Sequence, residues 1–382
     1  MITNIGNSIN ILKAMLLLNA ARLPFRYISE SLYDFPEALW VEAESLWSKF
    51  NYPQIVSQRL RKLLDKNWVD NEIVRLQNNG VDFISIYDVK YPNNLRNIQN
   101  PPIGIYVKGN WSKYLGRNSI GVVGTRRCSS YGRHVAHSIG EALAFSGISV
   151  VSGGALGIDA AAHLGCINAD GTTVAVFGTG INLVYPTKHK ELFNRITENG
   201  VLVTEYPFGV QGNAWHFPER NRIIVGLSDR IVIVEAPVNS GAMITAKIAL
   251  EAGVEIWSVP GQITDNIALG SNKLLCDGAN VLADITEFVE IVGGRGNQFL
   301  LPFQTENAKA AINEREASVT SDERIILQII KSSGNRTVDD IVNESKMSLQ
   351  QVQYCLSSLI ASEFIFLSGP GRFSYTGVPF RA

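Results

Sequence analysis

The residues best equipped for chemistry sit in glycine turns. Gly124-Thr125-Arg126-Arg127 follows the apolar run Ser119–Val123. Ser152-Gly153-Gly154-Ala155-Leu156-Gly157 follows a second apolar run, Ile148–Val151, and leads to Asp159 and, one helical turn later, His163. A tight turn that opens a helix leaves backbone N–H groups unpaired and concentrates positive potential, so an anion can sit there. Arginine adds a planar guanidinium suited to phosphate oxygens. Asp159 has the chemistry of an acid but, at a helix start, the geometry of a brace, and His163 fits a hydrogen-bonded core position.

Three further blocks point the same way. Gly178-Thr179-Gly180 is followed by Tyr185-Pro186-Thr187-Lys188-His189, where Lys188 can reach a crevice at a sheet edge. Phe217-Pro218-Glu219-Arg220-Asn221-Arg222 sets two arginines around an asparagine. Ser240, Gly241 and Thr245 lie where another helix should begin, and can donate to a phosphate there. Together the turns and arginines put basic charge on one edge of a protein whose net charge is only −1, which is how a phosphate backbone is held. Tyr185, Trp215 and Phe217 can stack on bases, or simply pack.

Other chemistries lack their residues. A dinucleotide fold wants G-x-G-x-x-G, and Gly121-Val122-Val123-Gly124 does not supply it; no turn has the Gly-Lys-Ser/Thr of a P-loop. The four cysteines, Cys128, Cys166, Cys276 and Cys355, are widely spaced and the five histidines do not cluster with them, so neither a zinc site nor a disulfide framework is expected. Cys128 beside Arg126 and Arg127 could carry an acidified thiol. The N-terminal apolar run Ala14–Leu18 is far short of the about 20 residues that span a bilayer, and no basic leader with a cleavage site is evident. The expectation is a cytoplasmic protein without a membrane segment, a metal or a cofactor.

These turns need a frame. From Ser119 to about Val292 strands alternate with helices: Ile120–Val123, Ile148–Val151, Val174–Phe177, Val201–Thr204, Ile231–Glu235 and Glu255–Val259 read as strands, with helical patterns at Arg133–Ala144, Ile158–Asn168, Lys188–Glu198, Ala242–Ala252 and Asp284–Ile291. Continuous apolar strands between helices predict a Rossmann-like, doubly wound, mostly parallel α/β sheet. Phe83–Gly109 reads as strand, short helix and strand. Residues 1–80 form an N-terminal helical module, of sterile-α-motif or helix-hairpin-helix type, cut by Pro24, Pro36 and Pro53. The α/β domain spans 81–292, a Gly-, Asn- and Gln-containing linker 293–320, and a small domain 321–382. The last reads as three helices (Asp322–Lys331, Thr337–Ser345, Ser348–Ser362) and a hairpin (Phe364–Leu367, Phe373–Thr376), a winged-helix-like order, with a capping box from Thr337 to Asp340. Its third helix is poor in basic residues, which weakens a DNA-reading role and fits a protein-docking wing at least as well.

Read together, YPNNLRNIQNPPIGIYVKGN, GVVGTRRCSSYG, VVSGGALGIDAAAH, FGTGINLVYPTKH, FPERNRIIVGLSD, EAPVNSGAMITAKIALEAG and VPGQI with GSNKLLCDGA resemble, in family order across about residues 83–285, the DNA-processing protein A (DprA/Smf) family. The resemblance implies a non-enzymatic protein that binds and protects single-stranded DNA, helps to load the RecA recombinase in natural transformation, and acts as a homodimer through the Rossmann-like domain. It places the family's DNA-contacting arginine on Arg126, a basic position near Lys188, and the Arg-Asn-Arg block on Arg220, Asn221 and Arg222.

One enzymatic alternative shares the fold. Nucleoside 5′-monophosphate phosphoribohydrolases of the lysine-decarboxylase-like group carry P-G-G-x-G-T-x-x-E, which aligns with Ser240–Ile248. Thr245 matches, but Ala242 and Ile244 replace glycines and Ile248 replaces the acid, so water activation has no obvious agent.

Overall fold

The computed structural model describes residues 3–24, 54–64, 67–293, 319–333, 336–362, 364–369 and 371–375. The chain opens with α1 (Thr3–Ala21), α2 (Gln54–Leu64) and α3 (Trp68–Asn79), then β1 (Val81–Ser85), α4 (Asn93–Asn97), β2 (Gly104–Gly109) and α5 (Trp111–Tyr114). The alternating part follows: β3 (Ser119–Val123), α6 (Ser130–Phe145), β4 (Ser149–Ser152), α7 (Ile158–Asn168), β5 (Thr173–Val176), a 3-10 turn (Thr187–His189), α8 (Lys190–Asn199), β6 (Val201–Thr204), α9 (His216–Gly226), β7 (Arg230–Ile233), α10 (Gly241–Glu251), β8 (Glu255–Ser258), α11 (Leu269–Cys276), β9 (Asn280–Val281) and α12 (Ile285–Gly293). Last come α13 (Ser321–Ser333), β10 (Arg336–Thr337), α14 (Val338–Ser345), α15 (Leu349–Ala361), β11 (Ile365–Gly369) and β12 (Arg372–Tyr375).

Strands β1 to β9 form one sheet in the order β1-β2-β6-β5-β4-β3-β7-β8-β9. From β6 to β9 every pair is parallel; β2 joins β6 antiparallel and β1 joins β2 antiparallel. The order grows outward from β3 in one direction through β4, β5 and β6, then reverses to β7. That reversal is a topological switch point, where open α/β sheets bind ligands beyond the strand C-termini. The fold is therefore a mixed α/β, Rossmann-like one with a large, mostly parallel sheet.

The alternation of side chains sorts the core. Val174 and Val176 of β5, Val201 and Val203 of β6 and Ile231 and Ile233 of β7 face one layer with Ile223 of α9 and Ala242, Ala246 and Ala249 of α10. Val150 of β4 and Val232 of β7 face the other with Ile139 and Leu143 of α6, Ile158 of α7 and Phe288 of α12. Both faces are covered, which is why the strands read as unbroken apolar runs. On the far side of β5 and β6, Ala175 and Leu202 pack with Phe193 of α8 and with Met15 and Leu16 of α1, so the N-terminal helices share a core with the sheet.

One feature departs from the sequence reading. The sequence carries no helical pattern for α9, because Pro218 and the polar Glu-Arg-Asn-Arg string hide it. Proline costs nothing in a first turn, where its missing N–H has no partner to lose. Residues 25–53, with Pro36 and Pro53, and most of the expected linker lie outside the described residues. At the C-terminal end, α13 to α15 pack around Ile326, Ile330, Ile341, Val352 and Leu356, and the strands form a sheet in the order β10-β12-β11. The Thr337–Asp340 capping box is present, and Ser348 with Gln351 makes another.

Candidate functional site

The turn after β3 is built by its neighbours. Thr125 N donates to the Glu235 carbonyl (2.7 Å), and Ile158 N donates to the Thr125 carbonyl (3.3 Å). Gly157, with φ +84°, brings its backbone against the carbonyls of Thr125 and Arg126, where a Cβ would collide. The Glu235 carboxylate, buried at the end of β7, accepts from Ser129 N (2.9 Å) and Ser129 Oγ (2.5 Å), and so fixes the start of α6. Arg126 and Arg127 are left exposed between these anchors. The Arg126 guanidinium lies 5.5 Å from the centroid of Phe217.

Three connections converge on a cleft of about 780 Å³ at the switch point. The β3–α6 turn gives Gly124, Thr125, Arg126 and Arg127; α9 gives Phe217, Arg220 and Asn221; the start of α10 gives Ser240, Gly241 and Thr245. Ser240 is the N-cap of α10 by position, but its side chain caps no N–H, and its hydroxyl has no partner. The first turn of α10 thus carries no side-chain cap on its N–H groups, with the buried Ser240 hydroxyl unpaired beside them. Asp265 and Ile267 close the far rim; the sequence carried no signal for them, because their segment is irregular and polar.

Several residues expected to bind phosphate are otherwise engaged. Ser152 Oγ, fully buried, donates to the Val122 carbonyl (2.6 Å) and ties β4 to β3. The nest at Gly153–Ala155 already holds an anion: Asp159 Oδ2 accepts from Gly153 N (3.1 Å) and Ala155 N (3.4 Å). Gly153 is glycine because a Cβ there would meet the Arg220 guanidinium at 2.6 Å, not because a phosphate must approach. Arg220 Nη1 donates to the carbonyls of Gly153 (2.6 Å) and Val176. Burial lowers the Arg220 pKa to about 10, with Asp159 opposing and Arg126 adding to the fall. Burial likewise raises the Asp159 pKa, opposed by Arg220 and by the two amides. Arg220 and Asp159 are therefore buried opposite charges in the cleft wall, each bonded to backbone rather than to the other.

Asn221 Nδ2 donates to the Gly241 carbonyl (3.2 Å), joining α9 to α10, and Thr245 Oγ1 donates to the same carbonyl (3.3 Å). Arg222 does not face the cleft: its Nη2 pairs with Glu205 at 2.6 Å in a second crevice, between α1 and the β6–α9 connection. Gly154, Lys188 and Arg222 do not line the cleft. Lys188 is exposed in the 3-10 turn, which His189 anchors to the Gly154 carbonyl (2.9 Å) and Tyr185 joins to Phe217 by ring contact at 5.0 Å. His163 is sealed beneath the nest. Thr173 Oγ1 donates to Val150 O (2.9 Å), so it accepts from His163 Nδ1 (2.7 Å). The Cys128 thiol is not acidified: burial pushes it up, against the pull of Arg133. All four cysteines are free thiols, and among the described residues no cluster of His, Cys, Asp or Glu could hold a metal and no helix is long and apolar enough to cross a membrane.

A doubly wound, mostly parallel sheet with an arginine-rimmed cleft at its switch point defines a Rossmann-like α/β protein. The family described as DNA recombination-mediator protein A matches residues 82–293, and the chain belongs to that family. It is 38% identical over 220 residues to protein Smf of Synechocystis, covering 57% of this chain and 55% of that one. With the DNA processing protein DprA of Bacillus subtilis it shares 35% identity over 224 residues, 59% of this chain and 75% of the relative. The crystal structure of Streptococcus pneumoniae DprA superposes with a TM-score of 0.63 at 29% identity, over 74% of this chain and 96% of that one. DNA processing protein A of Helicobacter pylori, described for its single-stranded DNA binding mode, gives 0.51 at 25% identity over 55% and 95%.

Proposed function

We propose that the chain binds single-stranded DNA through the cleft at the switch point, without marked sequence preference and without breaking a bond. One observation carries this reading: Arg126, Arg127 and the uncapped first turn of α10 converge on one open cleft, while the acids beneath it are already satisfied. Phosphates would rest on the two guanidiniums and on the N–H groups of α10, contacts that do not depend on base identity. Phe217 and Tyr185, in contact beside Arg126, offer faces on which bases can stack. The H. pylori relative, described by its single-stranded DNA binding, supports the ligand class.

Family membership extends the proposal to handing the strand to the RecA recombinase during DNA uptake and recombination, as a homodimer, in the cytoplasm. The winged-helix-like unit of α13 to α15 and β10 to β12 would serve docking, and the N-terminal helices would form the helical module. The hydrolase alternative is weaker on the geometry: Asp159 in the cleft is committed to Gly153 and Ala155, Glu235 behind it to Ser129, Asp265 on the rim accepts from Ile267 N, and residue 248 is isoleucine.

Arg126→Ala tests the reading. Binding of single-stranded oligonucleotides of different sequence should weaken uniformly, and the log–log salt slope should shallow by about 0.7 per lost phosphate contact. Unchanged binding would make the turn structural only.

A further inference from the structure

Arg22 ends α1 in an unusual way. Its φ is +59°, the left-handed region, where glycine is the ordinary occupant of a helix end and a bulkier residue is strained. Leu23 N bonds back to the Leu18 carbonyl (3.1 Å) and Arg22 N to that of Asn19 (3.0 Å), so the helix end itself asks for glycine. What the arginine adds is its side chain. Nη2 reaches both oxygens of Glu219 at 2.5 Å, Nη1 lies 3.5 Å from His216 Nε2, and the guanidinium stands 4.5 Å from the Trp215 ring centroid and 5.4 Å from that of Tyr206.

Every one of those partners belongs to the connection between β6 and α9 or to the first turn of α9. Two more ties run from the N-terminal helices to that segment. Asn19 Nδ2 donates to the Glu205 carbonyl (2.8 Å), and the buried Glu72 carboxylate accepts from Phe208 N (3.0 Å). Opposite faces of the same helical turn serve the two crevices: Trp215 and Glu219 line the one next to α1, while Phe217, Pro218 and Arg220 line the cleft at the switch point. The segment from 209 to 215 between these anchors is otherwise exposed.

We propose that Arg22 is a positioning residue for the DNA cleft: from outside the α/β domain it fixes the start of α9, and with it the placement of Phe217 at the cleft wall. The inference rests on the binding role assigned to that cleft. Arg22 is paired with Glu219 and meets no phosphate, so it acts on affinity without changing the number of counterions released. The strained backbone persists because a glycine there would satisfy the helix end but release α9.

Arg22→Gly separates the two roles in the full-length protein. It removes the clamp and relieves the backbone, so thermal stability should be kept, while affinity for a single-stranded oligonucleotide falls about fivefold with the salt slope unaltered. Glu219→Gln should do the same, and the exchanged pair Arg22→Glu with Glu219→Arg should recover at least half of the loss. Parent-like affinity in Arg22→Gly, or a shallower salt slope, overturns the proposal; the second result would make Arg22 a phosphate ligand. Amide hydrogen exchange reads the clamp without DNA. Residues 209–219 should exchange faster in Arg22→Gly, and parent-like exchange there overturns the clamp even if the protein binds no DNA at all.

Discussion

Two arginines that read alike in the sequence, Arg126 and Arg220, do opposite work. Arg126 is exposed and free to meet a ligand; Arg220 is 4% exposed, and its Nη1 is taken by the carbonyls of Gly153 and Val176. Arg126→Ala should therefore leave stability unchanged while it weakens binding. Arg220→Met should do the reverse. It leaves the buried carbonyls of Gly153 and Val176 without their donor and Asp159 without a nearby positive charge, and each orphaned buried polar group costs about 1–3 kcal/mol. Urea unfolding of the two variants checks this, and a parent-like midpoint for Arg220→Met contradicts the account. The sequence could not separate these residues. Both read as basic groups beside turns, and only the third dimension shows that α9 turns Arg220 inward, Asn221 toward α10 and Arg222 toward Glu205.

At the scale of elements, the uncapped start of α10 is the feature most open to test. Ser240→Asp would place a carboxylate at the N-cap, where it can accept from the first-turn N–H groups. Helix capping of that kind stabilises by about 1 kcal/mol. The same carboxylate would occupy the anion position and repel phosphate, so the variant should melt higher and bind DNA less tightly. Tighter or equal binding would place the strand elsewhere. The parallel strands and most helices of the α/β part were legible because both faces of the sheet are buried, which leaves continuous apolar runs between helical patterns. The α9 helix was not, since its polar residues are taken up by Arg22 after α1, Glu205 after β6 and the Gly241 carbonyl of α10. The nest at Gly153–Ala155 was legible as an anion site, but not that its anion is Asp159, six residues on.

For the whole molecule, burial of neutral histidines sets an acid limit. Burial lowers the His163 pKa to about 3 and, helped by the charge of His134, that of His137 to about 4. Below pH 6.5 the unfolded chain takes up protons that the folded one refuses, so stability is full above that pH and is lost as pH falls toward those values. His163 alone should account for a loss of about 2 kcal/mol by pH 5. Urea titrations at pH 7 and pH 5 should show the loss, and His163→Gln should reduce it; an equal pH dependence in the variant would assign it elsewhere.

The net charge of −1 gives the molecule as a whole no attraction for nucleic acid, so any binding has to come from the local basic cleft. The most direct measurement is the affinity of the parent protein for single- and double-stranded oligonucleotides of equal length across a salt series. The account predicts preference for the single strand and a log–log slope of about −1.4 or steeper, from at least two phosphates held by Arg126, Arg127 and α10. A flat salt response, or equal affinity for the duplex, would contradict it.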